Sequence, residues 1–325
     1  MFNALVIRQQ DEQQQVAIEQ LQEDQLPEGD VTIAVSYSSI NYKDGLAITG
    51  KGKIVRSFPM VPGIDLVGTV LESDSPNYKA GDEVVLTGWG VGEGHWGGLA
   101  QKAKLKSDWL VPLPDGLSPQ QAMIIGTAGL TAMLCVMALE HNGVSKDKGE
   151  VLVTGASGGV GSTAIALLHA LGYSVTAVTG RAENADYLKS IGAHDIVLRS
   201  DLEDRAKPLD KQRWAGVIDA AGGNILANAL AQTNYGGCVA ACGLAADFKL
   251  PTTVMPFILR NITLAGVDSV MCPVAKRQQA WQRLQQLLPQ SFYQQASEQI
   301  SLEQVPEWAD KIIAGQVTGR TLVKL

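Results

Sequence analysis

Three glycines, Gly155, Gly158 and Gly161, stand at regular spacing between an apolar run, Val151-Leu-Val-Thr154, and a helical pattern, Thr163-Ala-Ile-Ala-Leu-Leu-His-Ala-Leu171. Residues of this type can bind a dinucleotide pyrophosphate. Without a Cβ, one glycine permits the tight turn, another lets backbone N–H groups approach the phosphates, and the third lets the helix pack closely on the strand. The usual fingerprint is G-x-G-x-x-G, and here Ala156 takes its first position, which makes the motif a G-x-x-G-x-x-G variant. A strand-to-helix turn that binds nothing would use the same glycines. Further on, Tyr173-Ser-Val-Thr-Ala-Val-Thr179 reads as a second buried strand. An NAD-binding chain would end that strand with a carboxylate for the ribose hydroxyls; this one ends it with Thr179-Gly180-Arg181. A guanidinium beside a small hydroxyl suits a 2'-phosphate, so NADP is expected over NAD, with a solvated surface arginine as the alternative.

The elements that must position these residues follow from the pattern on either side. From Val151 the chain alternates strand and helix: strands at Val175 to Thr179, Asp195 to Leu198, Trp214 to Asp219, Cys238 to Cys242 and Ile262 to Val267, with helices at Ala182 to Ile191 and Ile225 to Gln232. That is the rhythm of a doubly wound parallel sheet. Before it, short apolar runs broken by glycine and proline (Ala4 to Ile7, Val31 to Val35, Leu66 to Val70, Glu83 to Leu86) indicate a β-rich domain. A helix from Pro119 through Glu140 carries the chain across. Helices at Val274 to Leu288 and Leu302 to Ile313 and a strand at Thr318 to Leu325 close it.

With 325 residues, 46% of them hydrophobic and 18% charged, the chain can bury two cores. A net charge of -7 supplies no global basic field for nucleic acid or an anionic membrane. No run of eighteen apolar residues and no leader-like N-terminus occurs, so a cytoplasmic protein is expected. Cys135, Cys238, Cys242 and Cys272 lack metal-ligand spacing and are expected to be buried free thiols.

Several strings resemble the medium-chain dehydrogenase/reductase superfamily: Ser38-Ser-Ile-Asn-Tyr-Lys-Asp44, Pro62-Gly-Ile-Asp65, Ala80-Gly-Asp-Glu-Val84, Gly97-Gly-Leu-Ala100, Gly126-Thr-Ala-Gly-Leu-Thr-Ala132 and Gly319-Arg-Thr-Leu-Val-Lys324. The resemblance implies an α/β protein of two domains. A GroES-like β-rich catalytic domain would cover 1–125 and be completed by 270–325, and a Rossmann cofactor domain would cover 126–269. Zinc enzymes of the superfamily carry a cysteine where this chain has Asn41 and a His-Glu pair where it has Ile64-Asp65, and the structural-zinc cysteines are missing between Leu86 and Gly98. His95 alone lacks the partners that a catalytic zinc needs. The likeness is therefore to the zinc-free quinone oxidoreductase branch. Within it, Asn41 to Lys53, Leu86 to Glu93, Asn234 to Leu244 and Pro251 to Arg260 look most like NADPH-dependent acrylyl-CoA reductases.

That resemblance implies a metal-free hydride transfer from NADPH that reduces the carbon–carbon double bond of acrylyl-CoA to propionyl-CoA. Quinone reduction is the alternative, and a nucleotide-binding protein without turnover is a third reading from a different class. Tyr42 would lie at the nicotinamide, as proton donor or as a packing aromatic. Asp65 and Asp44 are weaker candidates for chemistry, since both could be structural carboxylates. Ser157, Gly158, Gly159 and Val160 would cradle the pyrophosphate, with Thr179, Gly180, Arg181 and Arg199 around the adenosine phosphate. Leu244, Ile258 and Ser269 would line the nicotinamide. Lys51, Lys53 and Arg56 form a basic loop that could meet coenzyme A phosphates or simply be solvated. A homodimer paired through Ile262 to Val267 is also implied.

Overall fold

A computed structural model describes residues 1–11 and 13–325, and the chain divides into two compact units. The first comprises Met1–Thr127, Val270–Gln285 and Ala296–Leu325; the second comprises Ala128–Ser269 and Gln286–Gln295. The segment 286–295, expected with the first domain, groups with the second. It holds the short helix Gln290–Gln295, whose Phe292 and Tyr293 are buried.

In the first unit a mixed seven-stranded sheet runs in the order Ser297–Ser301, Arg320–Lys324, Val31–Ile40, Asp65–Ser73, Glu83–Thr87 and Leu110–Pro112, with Lys102–Leu105 also paired to Val31–Ile40. The chain's last strand thus lies beside one of its first, with Thr321 opposite Ile40. The alternation in Val31–Ile40 sends Val31, Ile33 and Val35 inward against Leu66, Val70, Val84 and Leu86. The hairpin Phe2–Gln10 with Gln13–Leu21 packs on a separate cluster. Helix Tyr42–Thr49 lies against helix Val305–Ile313, and glycine allows the approach: a Cβ on Gly45 would come within 2.7 Å of Ile312 Cγ2.

The second unit is a six-stranded, wholly parallel sheet in the order Asp195–Leu198, Val175–Thr179, Glu150–Val153, Trp214–Asp219, Thr233–Ala241 and Thr263–Gly266. Its central strands are buried over consecutive residues, at Val151–Val153, Val175–Thr179 and Trp214–Asp219, as expected of a parallel sheet covered on both faces. Leu152, Val178, Val217 and Val239 meet Leu226 and Leu230 in one core. Strand order reverses beside Glu150–Val153, which is where the crevice of such a sheet receives a ligand.

Helix Pro119–His141 begins in the first unit and ends in the second. It is long and apolar enough to cross a membrane by composition, but most of it is buried within the protein. It is interrupted at Gly126 (φ 49, ψ -159). Several short elements carry no sequence periodicity and were not expected: helices Tyr42–Thr49, Met255–Arg260 and Gln290–Gln295 and strand Ser297–Ser301. The helix expected over Ala182 to Ile191 is a 3-10 turn followed by Ala185–Ser190, and the one expected from Leu302 starts at Val305. Cys135, Cys238 and Cys272 are buried free thiols, whereas Cys242 is only half-buried.

Candidate active and cofactor-binding residues

In the second unit, Glu150–Val153 delivers the chain to Gly155 in the left-handed region (φ 60), and helix Gly159–Ala170 starts directly afterwards. A Cβ on Gly161 would strike the Gly155 carbonyl oxygen and lie 2.6 Å from Ala156 Cα, so this position requires glycine for the helix to sit on the strand. Ala156, which departs from the usual motif, is fully buried beneath the turn. Gly158 caps the helix, and Gly159 and Val160 are its first residues, half-buried, with the unpartnered amide dipoles of a helix start.

Strands Val175–Thr179 and Asp195–Leu198 are neighbours with Leu198 opposite Thr179, so the residues following them share one sheet edge. There Ser157 Oγ lies 3.0 Å from Thr179 Oγ1, and the Arg181 amide donates to Thr179 Oγ1 at 3.2 Å. The hydrogen-bond network orients the Asn184 amide so that its oxygen accepts from Arg181 Nη2 (3.1 Å), Arg181 Nε (3.2 Å) and Ser157 Oγ (2.9 Å). The Arg199 guanidinium lies over Gly180, where a Cβ would approach its Cζ to 2.9 Å, and its Nε donates to Glu203 at 2.7 Å on an exposed surface. Ser157, Thr179, Gly180, Arg181 and Arg199 therefore meet at one corner. Asn184 joins them without having been anticipated, although its place three residues after Arg181 was visible. Asp219, at the end of strand Trp214–Asp219, also went unnoticed. It is buried, accepts from Thr154 Oγ1 (2.7 Å) and Gly222 N (2.9 Å), and so ties the glycine turn to the next loop. Burial pushes its carboxyl up against the pull of those bonds.

Leu244 and Ile258 are 61% and 70% exposed apolar side chains of this unit. Ser269 is buried and accepts from Thr131 Oγ1 at 2.7 Å.

In the first unit, Tyr42 opens helix Tyr42–Thr49 and is 39% exposed. Asp65 is wholly buried at the start of its strand, which places its carboxylate among donors and out of reach of solvent. Oδ2 accepts from Ser39 Oγ (2.7 Å) and Asn41 Nδ2 (2.8 Å), Oδ1 from Thr127 Oγ1 (2.5 Å), and both from Thr127 N (3.0 Å). Arg320 Nη2 stands 3.6 Å from Oδ2. Arg320 also donates to Asn41 Oδ1 (3.0 Å), Ser39 Oγ (2.8 Å) and the Ile124 carbonyl (3.0 Å). Gly126 completes the knot, since a Cβ there would lie 2.5 Å from Asp65 Oδ2 and 2.7 Å from Arg320 Nη2. Asp44 accepts from Asn41 N (2.8 Å) and Ile64 N (3.0 Å). Burial, helped by the Asp65 charge and opposed by those N–H groups, pushes its carboxyl up to about 7.

This donor set does not fit a catalytic zinc. The one carboxylate at the corresponding positions already serves four neighbouring groups and faces a buried guanidinium, and an imidazole or thiolate is lacking at Asn41 and Ile64. Among the described residues no group of three or more His, Cys, Asp or Glu could hold a metal. His95 instead contacts the Lys104 carbonyl at 2.8 Å and sits edge-on to Trp109. In the basic loop, Lys51 faces Asp310 (3.7 Å), Arg56 faces Glu93 (3.7 Å) and Lys53 is exposed.

Residues 27–115 match the alcohol dehydrogenase GroES-like domain family, and residues 159–288 match the zinc-binding dehydrogenase family. The chain is 62% identical to the "Probable acrylyl-CoA reductase AcuI" of Escherichia coli, covering all of both chains. It is 53% identical to the acrylyl-CoA reductase AcuI of Ruegeria pomeroyi over 99% of both. Among solved structures, the yhdH oxidoreductase of Salmonella enterica in complex with NADP superimposes with a TM-score of 0.98 at 62% identity, covering 99% of each chain.

Proposed function

The chain belongs to the medium-chain dehydrogenase/reductase superfamily, and from that premise we propose that it reduces the carbon–carbon double bond of acrylyl-CoA with NADPH, giving propionyl-CoA. The observation that carries this function is the end-to-end likeness to one probable and one named acrylyl-CoA reductase, at 62% and 53% identity. For the cofactor, support comes from the corner of the second unit: two guanidiniums, two hydroxyls and an amide stand where an NAD-specific chain would place a carboxylate. Charge-assisted bonds from Arg181 and Arg199 to a 2'-phosphate would be worth about 1.5–3 kcal/mol each. The pyrophosphate would rest on the amides of Ser157 to Val160 at the helix start.

NADPH, when bound, supplies a hydride to the β-carbon of the thioester. The thioester carbonyl takes up the resulting charge, and a hydrogen-bond donor beside that oxygen lowers the barrier. Tyr42 is the exposed hydroxyl we assign to this task or to delivering the proton at the α-carbon. Asp65 is spent on internal partners and is given no proton-transfer role. Leu244, Ile258 and Ser269 are the groups we assign to the nicotinamide. The reaction needs no metal, in keeping with the guanidinium that occupies the carboxylate's open side.

We also propose a cytoplasmic homodimer. What supports the dimer is the edge strand Thr263–Gly266, one row of whose backbone groups has no strand partner among the described residues, together with the exposed Val254 and Leu259 of the same unit. Light scattering at micromolar concentration should give twice 34.5 kDa, and a species of 34.5 kDa would refute the assembly.

The test of function is a panel of acrylyl-CoA, crotonyl-CoA and simple quinones with NADPH. We expect kcat/KM for acrylyl-CoA to exceed that for the quinones by several decades. Quinone turnover of equal or greater efficiency would transfer the assignment to quinone reduction.

A further inference from the structure

The buried knot of the first unit holds both ends of one amide. Asn41 Nδ2 donates to Asp65 at 2.8 Å, while Asn41 Oδ1 accepts from Arg320 at 3.0 Å. Turning that amide over would set its NH2 against a guanidinium and its oxygen against a carboxylate, so only one orientation is allowed. The two holders are themselves fixed: Asp65 by Ser39 and Thr127, Arg320 by Ser39 and the Ile124 carbonyl. The backbone of Asn41 is fixed as well. It is extended (φ -112, ψ 165), its N–H is bound by Asp44, and its carbonyl accepts the first helical bond, from Gly45 N at 3.1 Å. Tyr42 is the next residue. Its backbone therefore leaves a point locked from four sides, while its side chain is 39% exposed.

We infer that Asn41, Asp65 and Arg320 form a clamp that positions the Tyr42 phenol for the reaction. We assign none of the three a contact with substrate. Each acts through Tyr42, and the inference rests on the proposed role of that phenol. The geometry favours positioning over stability alone, because the clamp's bonds converge on the residue that precedes Tyr42. A small displacement of a reacting group is costly, up to about a hundredfold in rate for roughly 1 Å.

A kinetic double-mutant cycle tests this. Asn41→Ala should lower kcat with acrylyl-CoA by about tenfold and leave KM for NADPH within about twofold of wild type. In a Tyr42→Phe background the same substitution should change kcat by less than about twofold, since the group it positions is gone. Losses of equal size in the two backgrounds would overturn the clamp, as would an Asn41→Ala or Tyr42→Phe enzyme as active as wild type. Failure of the substrate assignment is read separately, in the wild-type enzyme: if it reduces quinones and not acrylyl-CoA, the cycle is run with the quinone and the same outcomes decide.

Discussion

Two clusters of charge in this protein are built to opposite ends. The knot of Asn41, Asp65, Thr127 and Arg320 is sealed: Asp65 and Arg320 are 0% and 3% exposed, and each oxygen and nitrogen named there meets a partner within the protein. The corner of Ser157, Thr179, Arg181 and Arg199 sits at a sheet edge with an Arg199 side chain 55% exposed, held by a single surface carboxylate. A buried ion pair is costly to create and far more costly to break, so its residues are set in place permanently. A surface pair is worth little, up to about 1 kcal/mol, so Arg199 can exchange Glu203 for a phosphate at small cost. The first arrangement suits holding a chain segment still, and the second suits receiving an anion.

The sharpest way to break that contrast is to cut one member of each cluster. Asp65→Ala leaves the Arg320 guanidinium buried without its counter-charge and should destabilise the protein by about 3–5 kcal/mol, read from urea unfolding. A loss below about 1 kcal/mol would show the knot to be as dispensable as a surface pair. Arg181→Ala should leave stability nearly unchanged and reduce the preference for NADPH over NADH by roughly tenfold to a hundredfold, the equivalent of one charge-assisted bond. Unchanged discrimination would remove Arg181 from the cofactor site.

A smaller effect comes from Asp44, at the edge of the knot. Its carboxyl is raised from 3.8 to about 7 by burial, so between those values the folded chain holds a proton that the unfolded chain has lost. Its contribution to stability is therefore full below about 3.8 and is lost as pH rises through about 7. Asp44→Asn should flatten stability across that interval, and an identical pH profile in the variant would place the ionised carboxylate comfortably among its N–H donors. The smallest expected effect is none: prolonged chelation should leave activity intact, and loss of activity together with stoichiometric zinc would mean that a metal displaces the knot.

The two clusters also differ in how far the sequence reveals them. The corner was legible because its members are local. The glycine spacing lies in one turn, Arg181 follows one strand, and Arg199 follows the strand that pairs with it. Asn184 escaped because an asparagine at the start of a short helix reads as an ordinary polar residue. The knot was nearly invisible. Asn41 and Arg320 are 279 positions apart and meet only because the last strand pairs with Val31–Ile40. Asn41 and Asp65 stood out as replacements for metal ligands, yet nothing in their types indicates that they bond to each other. Helix Tyr42–Thr49 was missed for a related reason: eight residues with a glycine inside show no apolar stripe, and the helix forms because Gly45 lets it press on Val305–Ile313. The alternation of strands and helices after Val151 spans enough residues for its period to be read directly.

The proposed reaction moves a hydride from the nicotinamide to carbon, and isotopic labelling follows that atom. With acrylyl-CoA and NADPH deuterated at the transferable position of its nicotinamide, mass spectrometry should find propionyl-CoA carrying one deuterium at the β-carbon. Unlabelled propionyl-CoA, or NADPH oxidation with no propionyl-CoA formed, would contradict hydride transfer to the β-carbon.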